Sequence, residues 1–387
     1  MADVLVLGGG FGGLAAAARL RTLLPSDLQI TLVDQRPEFY MGFAKLWALS
    51  GQRPLADGTR QLSQLADRGI GFLQADIVAI NPRACSVTTS KGELDAEGLI
   101  VALGATPAEE HTAMLAGDGC YDLYDGRQLG AMRRELAAIT TGRVVISILG
   151  GPHKCPPAPF EAALIVDQLL RDRGVRDAVE VAISTPLPMT LPVAGVDASR
   201  FVADHLAERN ITLLDSHAVA GVNDRAREIS FANGATTGYD LLFGVAADAP
   251  LPVVQASGLV GESGWIEPDR HTLATAFDRV YAVGDCTLIP TANGQLPRAG
   301  VFAAGGGRIA AANLAADLGH GSPARFDGHG HCFLELPGEQ VAHVEGDFYA
   351  DPPQVALTAA NHEQFTAKLA FETDHLDEWL GPRPVST

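Results

Sequence analysis

The N-terminal segment through Asp34 constrains the fold more strongly than any other part of the chain. An apolar run from Val4 to Leu7 precedes the motif Gly8-Gly9-Gly10-Phe11-Gly12-Gly13, and an alanine-rich segment runs from Leu14 to Leu24. This order of strand, glycine turn and helix is typical of a Rossmann unit, in which glycines let a pyrophosphate approach the backbone. Asp34 ends the next apolar run, about 20 residues after the motif, where a carboxylate binds the adenosine ribose. The predicted dinucleotide-binding residues are Gly8, Gly10, Phe11, Gly12, Gly13, Asp34 and Gln35.

The composition excludes several classes of function. Of the 387 residues, 47% are hydrophobic and 42 are glycine, which suits an α/β protein of two or three domains. Acidic residues number 46 and basic residues 28, so the net charge is −18. This charge argues against binding to nucleic acid and against electrostatic docking on anionic lipid. A basic protein partner and a homodimer are left open.

The sequence also bears on location and on metal binding. No apolar run reaches the roughly 20 residues that span a bilayer, and the N-terminus lacks a signal-peptide pattern. We therefore expect a cytoplasmic location, with peripheral contact to a membrane left open. The 11 histidines show no metal-ligand spacing, so no metal site is predicted. The five cysteines are interpreted first as thiols, because structural disulfides are rare in the cytoplasm, and any disulfide among them is expected to be catalytic rather than structural. They are Cys85, Cys120, Cys155, Cys286 and Cys332.

Two later segments indicate that the dinucleotide is FAD. The run from Leu99 to Pro107 resembles the crossover of flavoproteins with two dinucleotide-binding domains, with Leu103 in the usual threonine position. The run from Arg279 to Asp285 resembles their second FAD motif, whose aspartate holds the ribityl chain. A helix predicted from about Gly300 to Leu318 would direct its N-terminal dipole at the flavin edge that becomes anionic on reduction. The FAD-binding residues added by these segments are Ala102, Leu103, Gly104, Gly284, Asp285, Ala299 and Gly300.

The second half of the chain repeats the organisation of the first. We predict an α/β fold of two Rossmann-like domains, each with a β-meander insertion, and a small α+β C-terminal region. The meanders are expected at about 71–95 and 218–242. The predicted bounds are 1–107 and 268–320 for a discontinuous FAD-binding domain, 108–267 for the second domain, and 321–387 for a C-terminal redox-cysteine and interface region.

The glycine motif of the second domain is broken. Aligned on Gly150, the second glycine position holds Pro152, which has no N–H for a phosphate, and the third holds Cys155. The following strand ends at Ser184 without the acid that would hold a ribose, so both determinants of nicotinamide binding are absent. Cys155 lies at a predicted helix N-terminus beside Lys154, and both features predict a lowered thiol pKa. A buried core thiol is the alternative.

The segment Cys155-Pro156-Pro157-Ala158-Pro159-Phe160-Glu161 resembles the sulfide:quinone oxidoreductases and the flavoprotein subunit of flavocytochrome c sulfide dehydrogenase. The resemblance covers most of the chain, including Val283-Gly284-Asp285, the run from Leu296 to Ala303, and Gly330-His331-Cys332. It implies that Cys155 and Cys332 flank the flavin and cycle between disulfide, persulfide and flavin adduct. Resemblance and proximity make Glu161 the candidate proton carrier; a solvated or capping carboxylate is the alternative.

Some residues depart from the family or lie beside the proposed site. Arg298 stands where family members often carry lysine, and Cys120 lies in a poor context for the third cysteine of some members. His153 and His331 each neighbour a proposed redox cysteine, either as acid/base groups or as structural residues. Cys85 and Cys286 are predicted to be buried.

The C-terminal helix, predicted from about Glu363 to Leu380, combines an apolar face with an acidic one and should pack on its own domain rather than on lipid. The apolar face comprises Phe365, Leu369, Leu376, Trp379 and Leu380, and the acidic remainder comprises Glu363, Glu372, Asp374, Asp377 and Glu378.

The resemblance implies an FAD-dependent oxidation of sulfide or of a small thiol or persulfide. The electrons would pass to a quinone or to an electron-acceptor protein. Two alternatives are carried forward: an enzyme like a type II NADH:quinone oxidoreductase, and a redox-sensing flavoprotein without turnover.

Overall fold

A computed structural model describes residues 3–292 and 294–383. Within these residues the helices pack with two five-stranded parallel sheets, and three three-stranded antiparallel sheets accompany them. In chain order the helices are α1 (Phe11–Leu23), α2 (Ala44–Ser50), α3 (Glu109–Met114), α4 (Leu129–Ala138), α5 (Ala158–Asp172), α6 (Gly195–Glu208), α7 (Pro252–Gln255), α8 (Gly300–Asp317) and α9 (His362–Leu380).

The strands before α5 are β1 (Val4–Leu7), β2 (Ile30–Asp34), β3 (Glu38–Phe39), β4 (Arg60–Gln61), β5 (Gly71–Gln74), β6 (Ile77–Asn81), β7 (Ser86–Thr89), β8 (Gly92–Asp95), β9 (Gly98–Val101), β10 (Thr106–Pro107), β11 (Cys120–Asp122) and β12 (Gly142–Ile148). Those after it are β13 (Val179–Ser184), β14 (Thr212–Leu214), β15 (Val219–Asn223), β16 (Glu228–Phe231), β17 (Thr236–Gly238), β18 (Leu241–Val245), β19 (Asp248–Ala249), β20 (Val280–Ala282), β21 (Pro290–Thr291), β22 (Gly294–Gln295), β23 (His329–Leu336), β24 (Gln340–Asp347) and β25 (Gln354–Leu357).

Two five-stranded sheets confirm the predicted pair of Rossmann-like units. The first has the order β20-β9-β1-β2-β5 and the second the order β11-β18-β12-β13-β14. Every pairing in both is parallel, and β1, β9 and β18 are fully buried, as expected for strands covered on both faces. Because β20 joins the first sheet from far along the chain, that unit is discontinuous. The exact domain bounds stay a prediction.

The meanders are shorter than predicted at the sequence level. The insertion in the first unit is the antiparallel sheet β6-β7-β8, and Gly71–Gln74 instead pairs in parallel with β2. In the second unit the meander is β15-β16-β17, whereas the segment from Leu241 enters the parallel sheet as β18. The sequence prediction merged neighbouring strands because short apolar runs look alike whether they pair within a meander or with a distant strand.

The C-terminal region adds a third layer. Strands β23, β24 and β25 form an antiparallel sheet, and α9 packs along β24. The apolar residues Phe365, Leu376 and Trp379 of α9 are buried, which confirms that the helix packs on its own protein. Glu372, predicted on the acidic outer face, is buried as well and forms an ion pair with Arg53. No helix within residues 3–292 and 294–383 is both long enough and apolar enough to cross a membrane.

Glycine allows α1 and α8 to pack at very short range. A Cβ atom on Gly307 would overlap the carbonyl oxygen of Gly12, whereas one on the neighbouring Gly306 would lie an ordinary 3.6 Å from Val283. The close approach of the α1 and α8 backbones therefore requires Gly307 but does not require Gly306.

The two glycines give a matched test. We expect Gly307→Ala to lower the free energy of unfolding by about 1–3 kcal/mol, because overpacking outweighs the gain in helix propensity. Gly306→Ala should be neutral or stabilising by up to about 1 kcal/mol. Urea denaturation of the FAD-loaded protein measures both, and equal effects would contradict the packing argument.

Candidate functional site

The predicted FAD residues of the first unit meet at the carboxyl edge of its sheet. Pairing continues one step beyond the strands, since the N–H of Ala102 donates to Leu7 (2.8 Å) and the N–H of Val283 donates to Val101 (3.0 Å). The residues gathered at this edge are Gly8, Gly10, Gly12, Gly13, Asp34, Ala102, Leu103, Gly104, Gly284 and Asp285.

The glycines of the first motif have distinct physical roles. Gly8 has a φ of +106°, and a Cβ there would overlap the backbone of Ala102. A Cβ on Gly13 would overlap the carbonyl of Gly8, so the turn closes tightly onto α1. A Cβ on Gly10 would meet nothing within 4 Å among the described residues. The motif therefore leaves open space at Gly10, where a pyrophosphate would approach.

Asp34 is buried and fixes the end of β2 against the glycine turn. Its carboxylate accepts hydrogen bonds from the backbone N–H of Gly9 (2.6 Å) and from the N–H of Arg36 (2.8 Å). Of the other predicted residues, Phe11 packs edge-on against Phe39 and Trp379, with ring centroids 5.5 and 5.7 Å apart. The sequence places Gln35 beside Asp34, and the structure leaves it exposed.

A cavity lies where Gly284 and Asp285 face the first turn of α8. Ala299 and Arg298 line the same space. The residues present therefore fit FAD: Gly10 leaves space for the pyrophosphate, Asp285 offers a carboxylate to ribityl hydroxyls, and Arg298 carries buried N–H groups without a partner in the described chain.

Cys155 is held rigidly at the mouth of the second unit. Its φ of +51° is in the left-handed region, which costs about 1–2 kcal/mol for a residue with a Cβ. Three hydrogen bonds fix this backbone: its N–H donates to Arg298 (2.7 Å), and its carbonyl accepts from Ala158 (3.1 Å) and from the hydroxyl of Tyr124 (3.1 Å). The third glycine position thus keeps a glycine-like conformation while presenting a thiol.

The structure brings Cys332 into the neighbourhood of Cys155. Cys332 lies on β23, which packs against α5, and both cysteines pack on the same apolar cluster. Cys332 also lines an apolar cavity together with Pro156 and Pro157. The charge of Cys155 contributes to the raised pKa of Cys332. The two cysteines therefore share one buried region, although they lie far apart in sequence.

The prediction that Cys155 has a lowered pKa is wrong. Burial raises the pKa of Cys155 to about 12, and the charge of Glu161 adds to the shift. Helix α5 begins at Ala158, so Cys155 precedes its first turn, and Lys154 instead approaches Asp248, with Nζ 3.5 Å from Oδ1. Burial also raises the pKa of Cys332 well above its usual value, assisted by the charges of Cys155 and Glu161.

Glu161 belongs to a buried ionic cluster, which we define as Glu161, Glu335, Lys368 and Trp47. Its Oε1 accepts a hydrogen bond from the backbone N–H of Glu335 (2.6 Å) and lies 3.6 Å from the Nζ of Lys368. Lys368 also donates to the carboxylate of Glu335 (2.6 Å), which accepts from the indole N–H of Trp47 (2.8 Å). Burial raises the pKa of Glu161, opposed by the charge of Lys368. The solvated alternative for Glu161 is therefore wrong.

Sequence reasoning did not identify the other members of this cluster. A signal was present in α9, where Lys368 and Glu372 continue the spacing of Phe365, Leu376 and Trp379 along one face. Charged residues inside an apolar stripe indicate buried, paired ions. Although burial alone lowers it, the charges of Glu161 and Glu335 raise the pKa of Lys368.

Neither candidate histidine is charged at neutral pH. Burial lowers the pKa of His153 to about 4, with the charge of Arg298 adding to the shift, and burial lowers the pKa of His331 to about 4. Side chains alternate along a strand, and His331 packs against Phe333 and Phe371, on the face opposite Cys332. His331 therefore serves as an aromatic packing residue on the α9 side.

The remaining cysteines lie apart from this pair. Cys85 and Cys286 are buried in the core beside the first sheet, as predicted. Cys120 is buried in the second unit, where its thiol donates to the hydroxyl of Tyr239 (3.3 Å).

The broken second motif is also physically obstructed. A Cβ on Gly150 would overlap the imidazole of His111, so that ring lies directly against the turn. The ring is fixed there because its Nδ1 accepts from the backbone N–H of Ala247 (3.1 Å). Nicotinamide-dinucleotide phosphates would have to displace His111 and approach Pro152, which offers no N–H.

Comparisons with known proteins agree with this geometry. The family described as pyridine nucleotide-disulphide oxidoreductase matches residues 2–316. A sulfide-quinone reductase from Aquifex aeolicus (strain VF5) is 30% identical over 74% of this chain and 69% of its own length. The mitochondrial sulfide:quinone oxidoreductase of Mus musculus is 23% identical over 95% of this chain and 83% of its own length. The X-ray structure of the sulfide:quinone oxidoreductase from Aquifex aeolicus superposes with a TM-score of 0.87 at 24% identity, covering 99% of this chain and 92% of that one.

The raised pKa of Cys155 predicts its reactivity. In the fully reduced protein, alkylation of Cys155 by iodoacetamide should accelerate about tenfold per pH unit up to about pH 11, because only the thiolate reacts. Glu161→Gln should accelerate the reaction at a given pH, since the carboxylate charge raises the pKa of the thiol. Mass spectrometry of the Cys155 peptide measures the rate. An alkylation rate that stops rising below pH 9 would contradict the prediction. It would mean that the pKa of Cys155 is ordinary or lowered and that only steric shielding slows the reaction.

Proposed function

The chain belongs to the sulfide:quinone oxidoreductase family, and we propose that it oxidises sulfide through a redox pair of Cys155 and Cys332 and passes the electrons to a quinone. Family membership confirms three predictions from the sequence: the α/β Rossmann-type fold class, FAD as the cofactor, and an enzyme rather than a passive sensor. The chain is thus an FAD-dependent oxidoreductase of sulfur compounds. The cysteine pair and the roles of individual residues are our proposal.

The observation that supports the proposal is that Cys155 and Cys332 pack on one apolar cluster, next to an apolar cavity that Cys332 lines. The walls of that cavity are apolar side chains and prolines, and Cys332 is one of the residues that line it. Cys155 directly precedes Pro156 and Pro157, which line the cavity, and three hydrogen bonds hold its backbone in place. A fixed thiol next to this apolar region supports sulfur transfer in preference to a structural thiol.

The first step is thiol–disulfide exchange. Hydrosulfide attacks one sulfur of a Cys155–Cys332 disulfide, so a new S–S bond forms as a persulfide, the disulfide breaks, and its electron pair leaves on the second cysteine. A second hydrosulfide then attacks the outer sulfur of the persulfide, so the S–S bond breaks, the cysteine leaves as a thiolate, and the sulfur leaves as hydrogen disulfide. The two cysteines re-form their disulfide and give up two electrons. Bound FAD would supply the two-electron acceptor for this pair, with a quinone that takes up two protons as the final acceptor. The net change is two hydrosulfide ions to one hydrogen disulfide ion, one proton and two electrons.

The raised thiol pKa values give Glu161 a defined task. A cysteine leaving as a thiolate from this buried site is a poor leaving group, so it needs a proton. Glu161 has a raised pKa and acts on both cysteines through its charge. We assign it as the group that protonates the leaving sulfur and recovers the proton when the disulfide re-forms. Lys368 and the N–H of Glu335 hold the carboxyl in position.

The location and assembly of the protein stay predictions. A quinone acceptor implies contact with a membrane surface, consistent with the expected cytoplasmic location at its periphery. Assembly as a homodimer also stays a prediction. An electron-acceptor protein is the alternative to quinone as the electron acceptor.

Cysteine variants test the pair. Under anaerobic conditions, Cys155→Ser and Cys332→Ser should each slow flavin reduction by sulfide at least about 10³-fold, since either change removes the disulfide. Cys120→Ser is the matched control, because that thiol is buried elsewhere against Tyr239, and it should react like wild type. Undiminished reduction in either redox variant would overturn the mechanism. Sustained reduction of decylubiquinone by the wild type separates turnover from a single sensing event.

The obstructed second motif predicts the response to NADH. We expect no flavin reduction when NADH is mixed anaerobically with the protein, because Pro152 and His111 occupy the approach to the turn. Stopped-flow absorbance measures the reaction, with sulfide as the positive control. Rapid reduction by NADH would favour the type II NADH:quinone oxidoreductase alternative.

A further inference from the structure

Arg298 is buried in a cluster whose polar groups are only partly satisfied. Its Nη1 lies 3.4 Å from the carboxylate of Asp248, and its Cζ stacks 3.7 Å from the ring of Trp265. Its Nε and Nη2 are buried and have no hydrogen-bond partner within residues 3–292 and 294–383. Two orphaned N–H groups on a buried guanidinium are costly unless a ligand satisfies them.

The neighbouring residues leave the charge of Arg298 incompletely compensated. Asp248 is shared, because Lys154 also approaches it at 3.5 Å. The Nε2 of His153 is likewise buried without a partner in the described chain, and the ring is neutral. Burial raises the pKa of Asp285, opposed by the charges of Lys154 and Arg298. His153 therefore adds a second orphaned polar atom, on a ring whose pKa the charge of Arg298 helps to lower.

The position of Arg298 connects the cofactor cavity with the redox cysteine. Arg298 lines the cavity formed by Gly284, Asp285 and Ala299, and it stands two residues before α8 begins. Its carbonyl accepts the N–H of Cys155. A group in this place therefore contacts both the FAD cavity and the loop that holds the sulfur.

We propose that the two free N–H groups of Arg298, clamped by Trp265 and Asp248, bind flavin atoms that gain negative charge on reduction and so favour reduced over oxidised FAD. A planar guanidinium suits this task, because one N–H edge pairs with Asp248 while the remaining donors stay available. Stacking on Trp265 fixes the plane at little entropic cost. The inference rests on FAD binding, which family membership establishes, and it does not require the cysteine pair.

The test measures the two-electron potential of bound FAD by dye equilibration with a chemical or enzymatic reductant, without sulfide or quinone. A failure of the sulfide mechanism therefore leaves this result unaffected. Arg298→Gln should weaken binding of reduced relative to oxidised FAD at least tenfold, which lowers the potential by about 30 mV. Arg308→Gln is the control, because that arginine lies farther along α8 in a partly exposed pair with Glu378, and it should leave the potential unchanged.

A purely structural role for Arg298 would weaken both redox states of FAD equally, and an unchanged potential in Arg298→Gln would overturn the proposal. If Arg298→Gln does not retain FAD, Arg298→Lys decides, because lysine keeps the pairing with Asp248 but lacks the planar fork. The proposal then predicts that Arg298→Lys weakens binding of reduced relative to oxidised FAD about threefold, which lowers the potential correspondingly. A wild-type potential in Arg298→Lys would contradict it.

Discussion

The buried ionic cluster of Glu161, Glu335, Lys368 and Trp47 is the contact on which the arrangement of the site depends. Each ion is costly to bury alone, and only close pairing with full hydrogen bonding offsets that cost. The cluster joins α5, β23, α9 and α2, which come from three separate regions of the chain. Cys155 directly precedes α5 and Cys332 lies on β23, so the same contacts set the relative position of the two sulfurs. Removing one partner leaves an unpaired buried charge, at a cost of about 3–5 kcal/mol.

Burial also determines how the proposed chemistry is organised. An exposed thiol near a cation would be activated by a low pKa, but here the pKa of Cys155 is raised to about 12. The disulfide itself supplies the electrophile, and the leaving sulfur needs a general acid to protonate it. Glu161 has a raised pKa for the same physical reason, because both groups share one poorly solvated space. Desolvation therefore raises the pKa of the proton donor and the pKa of its acceptor alike.

Local patterns predicted a large part of the fold. The glycine motif from Gly8 to Gly13, the strand ending at Asp34 and the helix beginning at Gly300 all occur as expected, because each is dictated by neighbouring residues. The merged meanders and the inverted thiol pKa have a different origin. Parallel pairing and burial are set by residues far away in sequence, and Lys154, the nearest cation to Cys155, turns to Asp248 instead. The role of Lys368 could not be predicted for the same reason, because it depends on contact with Glu161, which lies far away in sequence.

The central claim is that Cys155 and Cys332 exchange a disulfide for a persulfide. Peptide mapping by mass spectrometry, without reductant, tests it directly on the FAD-loaded protein before and after one equivalent of sulfide under argon. The account predicts a Cys155–Cys332 linked peptide before sulfide, and its replacement by separate peptides of which one carries an added sulfur atom. If both cysteines stay unlinked and unmodified throughout while sulfide still reduces the FAD, the account is contradicted.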